Sequence, residues 1–224
     1  MGLDMYLNRM PRHGDATASD VSRVESFLGW LQAKFNGSEH AKCSFKEWCW
    51  AETIPSLDDI EFYSNHYKAT YSDWDKEKKH PWWRIKEEVG YWRKANHIHK
   101  WFVDHIQDGI DDCDYHREVT EADLVELLET CNTVLESCKM VNGKICNGYR
   151  YENGEKVPIM EDGKYVADSS VAAELLPTES GFFFGGTDYD EWYIEDIKNT
   201  INIITNVIET TDFNTHMIYY CSSW

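Results

Sequence analysis

The sequence predicts a mainly α fold of the α+β kind, in a single domain over residues 1–224. A helical body carries a small sheet that joins strands from the two ends of the chain, and a β-hairpin insertion lies near 142–168. Three observations predict it. Apolar residues recur at three- and four-residue spacing behind N-capping signals through most of the chain. The two ends alternate with period two instead. Four Asn-Gly or Asp-Gly pairs, starting at 142, 147, 153 and 162, crowd one short region.

In chain order, Leu3, Met5 and Leu7 alternate with Asp4, Tyr6 and Asn8, and the terminal HMIYYCSSW alternates in the same way. A lone strand cannot satisfy its own backbone, so the two ends are expected to share a sheet. Thr17-Ala-Ser-Asp20 opens a helix that puts Val21, Val24, Leu28, Leu31 and Phe35 on one face and stops at Gly37. Ser44-Phe-Lys-Glu47 is a second capping box, and residues 57–69 make a weaker helix. The longest helix is expected over 82–107, entered through Pro81 and ended near Gly109. Gly90 inside it costs about 1 kcal/mol against Ala and so marks a kink or a close contact. Thr120-Glu-Ala-Asp123 caps a helix carrying Leu124, Leu127, Leu128, Cys131, Val134, Leu135 and Cys138. Thr187-Asp-Tyr-Asp190 caps another, with Ile194, Ile197, Ile201, Ile204 and Ile208 in register. Between these two, runs such as GYRY, KVPIM and KYVA read as a β meander, with Pro158 restricting the middle run to an edge.

Composition bounds the partners. With 42% hydrophobic and 28% charged residues the chain is globular and not disordered. The balance of 22 cations against 40 carboxylates, a net −18, argues against general binding to nucleic acid or to an anionic membrane. It permits a cationic partner, or imitation of nucleic acid. Seven Cys without a CxxC pair, no apolar leader and no run of ~18 apolar residues point to free thiols in the cytoplasm. Ten Trp and thirteen Tyr serve either a core or a binding surface.

The stretches MGLDMYL, GYWRKANHIHKWF, GFFFGGTDYDEWY and IYYCSSW resemble a family of uncharacterised bacteriophage and prophage proteins of about this size, over essentially the whole chain. The resemblance implies a phage accessory protein working inside an infected bacterium, and it carries over no catalytic residues.

Wound as a helix, residues 88–102 turn Trp92 and His99 toward a core-facing arc and Arg93 and Asn96 to its edge, with His97 and Trp101 on the polar side. Trp92, Arg93, Asn96, His99, His97 and Trp101 are therefore the candidate ligand-binding residues. Arg offers a fork for an anion, Asn reads amide-like edges, and His accepts or shuttles a proton. Asp112, Asp114 and His116, in extended backbone, put two hard oxygens and an imidazole on one side, a candidate set for Mg²⁺, Mn²⁺ or Zn²⁺. Asp4 and Tyr6 share a strand face that could line a cleft. Gly181–Thr187 leads into a helix N-terminus, but Asp188, Asp190 and Glu191 already bring negative charge there. No GxSxG, Walker A or GxGxxG motif occurs.

The expected function is binding or inhibition of a host factor, or capture of a small anionic nucleotide-like ligand. The alternatives are a metal-dependent hydrolase or phosphodiesterase, and an acidic structural or nucleic-acid-mimic protein.

Overall fold

The computed structural model describes residues 2–49, 53–70, 82–113, 117–181 and 183–224. Helix accounts for 43% and strand for 27% of the described residues, so the fold is an α+β mix. The mainly α reading is corrected, because strands take up stretches that sequence periodicity assigns to helices.

The main correction lies at 82–107. Its first part forms two strands, β3 (Trp82–Arg84) and β4 (Glu87–Arg93), and only Asn96–His105 is helical (α4). Along β4 the side chains alternate, with Gly90 and Trp92 buried and Tyr91 and Arg93 exposed. That is the period of a strand, not of a helix. Gly90 is needed for close approach: a methyl group added there would lie 2.7 Å from Ile203 Cγ2 and 3.3 Å from Leu7 Cβ. Pro81, the expected helix entry, lies outside the described residues.

The expected joining of the chain ends is present, within a larger sheet than expected. β1 (Asp4–Pro11) lies beside β8 (His216–Ser223), and β4 and β5 (Glu118–Val119) complete the order β4-β1-β8-β5. β2 (Lys68–Thr70) pairs with β3 in a separate antiparallel pair.

The chain divides into two compact units, Met1–Leu7 with Val89–Thr211 and Tyr220–Trp224, and Asn8–Glu88 with Asp212–Tyr219. In the second unit α1 (Ala18–Phe35) starts from the predicted capping box, in which Thr17 and Asp20 each accept a hydrogen bond from the other's backbone N–H. Val21 and Val24 pack with Met10, Tyr63, Ile85, Met217 and Tyr219. The last turns do not follow: Leu31 is 41% and Phe35 is 93% exposed, so the predicted apolar face is core only in its first half. Ser44 and Glu47 cap α2 (Phe45–Cys49) as expected, and Ser56 caps α3 (Leu57–Ser64).

In the first unit Thr120 caps α5 (Glu121–Ser137), which buries Leu124, Leu127, Cys131 and Val134. α5 packs against α7 (Glu191–Thr210), which buries Ile194, Ile197, Ile204 and Val207. The cap of α7 is Asp190, whose carboxylate accepts from the N–H groups of Trp192 and Tyr193. Thr187 is not the cap. α6 (Ser170–Leu175) precedes it.

The insertion is one long hairpin rather than a meander, β6 (Met140–Glu152) paired with β7 (Glu155–Val166). Only Asn153-Gly154 turns the chain, with φ of 53° and 85°. Gly143 and Gly163 face each other in mid-ladder, where the rings and methyls of Tyr165 and Ile145 fill the space their side chains would need.

Asp196 on α7 is partly buried, and burial followed by repulsion from Asp190 and Glu195 raises its pKa to about 7. A folded-state pKa above the unfolded value of 3.8 means that folding favours the protonated acid. This group therefore costs nothing below about pH 4, and removes stability as pH rises from there to about 7. The slope reaches at most about 1.4 kcal/mol per pH unit. Asp196→Asn should raise the denaturation midpoint at pH 7.5 and leave it unchanged at pH 4; an equal change at both pH values would show that ionisation is not the cause.

Candidate functional site

Five of the six proposed ligand residues are inside. Trp92, Asn96, His97, His99 and Trp101 are all buried, and Trp101 is only 3% exposed. α4 is packed on two sides: Phe102 stacks on Tyr220 with centroids 4.0 Å apart, and His97 lies against Tyr193 of α7 at 4.3 Å. Burial lowers the His97 pKa to about 3, so its ring is neutral. Trp101 stacks on His105 at 4.5 Å. The Trp92 indole N–H donates to Thr200 Oγ1 at 2.9 Å.

Asn96 is committed to the protein itself. Its amide NH₂ donates to the carbonyls of Phe184 and Gly186 at 3.2 and 2.8 Å, and its Oδ1 accepts from Glu179 N–H at 2.9 Å. One side chain thus clasps the loop before α7 at three points.

Arg93 is the member left at the surface, and the strand geometry gives it other neighbours than a helix would. Lys94 N–H donates to the Leu3 carbonyl at 2.8 Å, which sets the end of β4 beside the start of β1. Tyr6 and Tyr91 become a ring pair with centroids 5.4 Å apart. The Tyr91 hydroxyl donates to Asp4 Oδ1 at 2.6 Å, and this bond, with burial and the Asp4 charge, raises its pKa to about 12. The Asp4/Tyr6 face and Arg93, separate in the sequence reading, are thereby brought together.

Beyond Arg93 the backbone turns sharply. Lys94 has φ 62° and Phe183 has φ 65°, in the left-handed region that costs bulky residues of order 1–3 kcal/mol each. Phe183 is nevertheless 53% exposed, on the loop whose Phe184 and Gly186 carbonyls accept from Asn96. A methyl group placed on Gly2 would lie 3.5 Å from Lys94 Cε, 3.8 Å from the Phe183 carbonyl and 4.0 Å from Arg93 Nη2, so these groups converge at one point. Among the described residues neither Arg93 nor Lys94 forms an ion pair. Two adjacent cations and the Tyr6–Tyr91 ring pair, with the backbone of exposed Phe183 beside the cations, make a site able to hold an anion by charge and a ring by stacking.

Of the proposed metal ligands, Asp114 and His116 lie outside the described residues, and Asp112 is exposed. No group of three or more His, Cys, Asp or Glu among the described residues is arranged to hold a metal ion. The buried Cys131 thiol has its pKa raised to about 12 by desolvation, as expected for a core cysteine. No described helix is long and apolar enough to cross a membrane.

Sequence reasoning missed Lys94 and Phe183 as site members. The only local signal was the glycine spacing around Phe183: Gly185 has φ 101°, and a methyl group added to it would lie 3.1 Å from the Lys94 backbone oxygen, so a larger residue there would be strained. No family model, no curated protein and no solved structure matches this chain.

Proposed function

We propose that this chain is a binding protein that takes a small anionic, ring-bearing ligand of nucleotide type on the row formed by Tyr6, Tyr91, Arg93, Lys94 and Phe183. One observation carries the reading: two neighbouring cations without a carboxylate partner among the described residues stand beside exposed rings, on a chain of net charge −18. The long-range field of such a chain repels polyanions, so an anion is held only where donors converge at short range. That favours a compact phosphate or carboxylate over a nucleic acid. Arg93 supplies a planar fork and Lys94 a point charge, while Tyr91, tethered to Asp4, presents a preset ring. The resemblance to phage proteins supports a role as an accessory protein in the cytoplasm of an infected bacterium, where the ligand is either free or part of a host factor.

Calorimetric titration with a series of nucleoside monophosphates, and with inorganic phosphate as the ring-free control, tests this. Arg93→Ala should weaken nucleotide binding by roughly 1.5–3 kcal/mol, the range for a charged hydrogen bond. Lys94→Asn should weaken it less and leave thermal stability intact, because Asn tolerates a left-handed backbone. Phosphate alone should bind more weakly than the nucleotides. The reading is wrong if no nucleotide binds at millimolar concentration, or if both variants bind as the parent does.

A further inference from the structure

A second constellation lies on the inner side of α4. His99 is fully buried, and its Nδ1 is 2.7 Å from the Tyr220 hydroxyl. Its Nε2 is also buried and has no hydrogen-bond partner among the described residues, although Asp111 Oδ1 stands only 3.1 Å away. The distance is that of an ion pair, but the direction is not that of a hydrogen bond, and direction decides whether a proton can be shared. A nitrogen and an oxygen held this close without a shared proton have the spacing of two ligands of one ion. Bonds of about 2.0–2.2 Å meeting slightly beyond a right angle separate N and O by about 3.1 Å.

We propose that His99 Nε2 and Asp111 Oδ1 form a binding site for a divalent transition-metal ion. The surroundings meet the further needs of such a site. A metal-bound imidazole usually donates its other N–H to an oxygen, which fixes the tautomer, and Tyr220 Oη is placed to accept from Nδ1. A ligating carboxylate is itself usually hydrogen-bonded, and the Trp224 indole N–H donates to the same Asp111 Oδ1 at 3.0 Å. Phe184 stands edge-on to His99 at 5.3 Å and meets Trp224 at 6.0 Å, which gives an apolar wall. The Asp111 side chain is 34% exposed, and this leaves a path for an ion to enter. One imidazole and one carboxylate suit Zn²⁺, Co²⁺ or Mn²⁺ better than Ca²⁺, which takes oxygen ligands. No described group of three His, Cys, Asp or Glu completes the shell, and the remaining positions are open to water or an external anion. This pair is separate from the set expected from Asp112, Asp114 and His116, of which Asp114 and His116 lie outside the described residues. It does not depend on the nucleotide reading.

Titration of the full-length, metal-stripped protein with Co²⁺ and Zn²⁺ tests it. Co²⁺ should give a visible ligand-field band, and saturating Zn²⁺ should raise the melting temperature by roughly 2–5 °C. Asp111→Asn keeps an acceptor for Trp224 and should keep the fold while lowering affinity at least tenfold. His99 is core, so its role is read in the parent protein, where bound Co²⁺ should broaden the His99 and Trp224 side-chain NMR signals. The proposal is overturned by no band and no thermal shift at millimolar metal, by an Asp111→Asn variant that binds as the parent does, or by a near-ultraviolet thiolate band that assigns the ion to a cysteine.

Discussion

Trp92→Ala should lower the stability of the chain by about 3–5 kcal/mol, read as a fall in the denaturant midpoint at unchanged slope. The indole is 2% exposed, its ring faces Phe102 at 6.0 Å, and its N–H reaches Thr200 on α7. Truncation leaves a cavity between strand and helix that the backbone at Gly90, already in close contact with Ile203, has little room to close. Domains of this kind are stable by only about 5–15 kcal/mol, so the loss is a large share of the total. Trp92→Phe separates the causes: it keeps most of the ring and gives up one neutral hydrogen bond, for about 1 kcal/mol. A cost for Trp92→Ala below about 1 kcal/mol would mean that Trp92 is not packed as described. Neither substitution touches the outward face of β4, and nucleotide affinity of the folded Trp92→Phe protein should stay as it is.

Asn96→Ala should cost about 2–4 kcal/mol, because two carbonyls and one N–H lose their shared partner in a buried setting. Its signature is local. Amide hydrogen exchange should accelerate over 179–186, which carries Phe183, while the core of α5 and α7 stays protected. Ligand affinity should fall together with the loop, even though Asn96 touches no ligand. Asn96→Asp should be worse than Asn96→Ala at neutral pH: it keeps the acceptor for Glu179 N–H but turns a carboxylate toward two carbonyl oxygens. Uniform exchange across the chain in Asn96→Ala would show that the residue is general core and not a clasp.

Legibility in the sequence followed the physics of each element. Caps were readable because a capping box is local: Thr17/Asp20, Ser44/Glu47 and Thr120/Asp123 need no tertiary partner to declare themselves. The N-terminal strand was readable because Leu3, Met5 and Leu7 alternate with more polar residues, whereas β8 buries Met217 to Tyr220 in a row and was named as a strand without a clean period. The hairpin was visible through its Asn-Gly pairs, but their number misled. One pair turns the chain, while Gly143 and Gly163 make room for the side chains of Tyr165 and Ile145. The failure at 87–93 has a definite source. Trp92, Ala95, Ile98, His99 and Phe102 all become buried, so a helical wheel drawn through them looks coherent. Their burial nevertheless comes from two elements, a strand to Arg93 and a helix from Asn96, joined through Lys94 at positive φ. Nothing in the residue Lys94 advertises that conformation. The site was half-legible for the same reason: Arg93 and the Asp4/Tyr6 face could each be named, but only strand pairing makes them neighbours.

The sheet order β4-β1-β8-β5 has a consequence for biosynthesis. β1 is made before both of its neighbours, and β4 follows it far sooner along the chain than β8 does. At about 5–20 residues per second, the segment between β4 and β8 takes on the order of ten seconds to appear. Through that interval one edge of β1, with Met5, Leu7 and Met10 beside it, has no neighbour in its own chain, the kind of open template that recruits other chains. When β8 arrives it takes the interior place between β1 and β5, so a strand made after both of its neighbours completes the middle of the sheet. A nascent chain stalled short of β8 should accordingly depend on a holdase to stay unaggregated, and emergence of β8 should be the step at which that dependence ends.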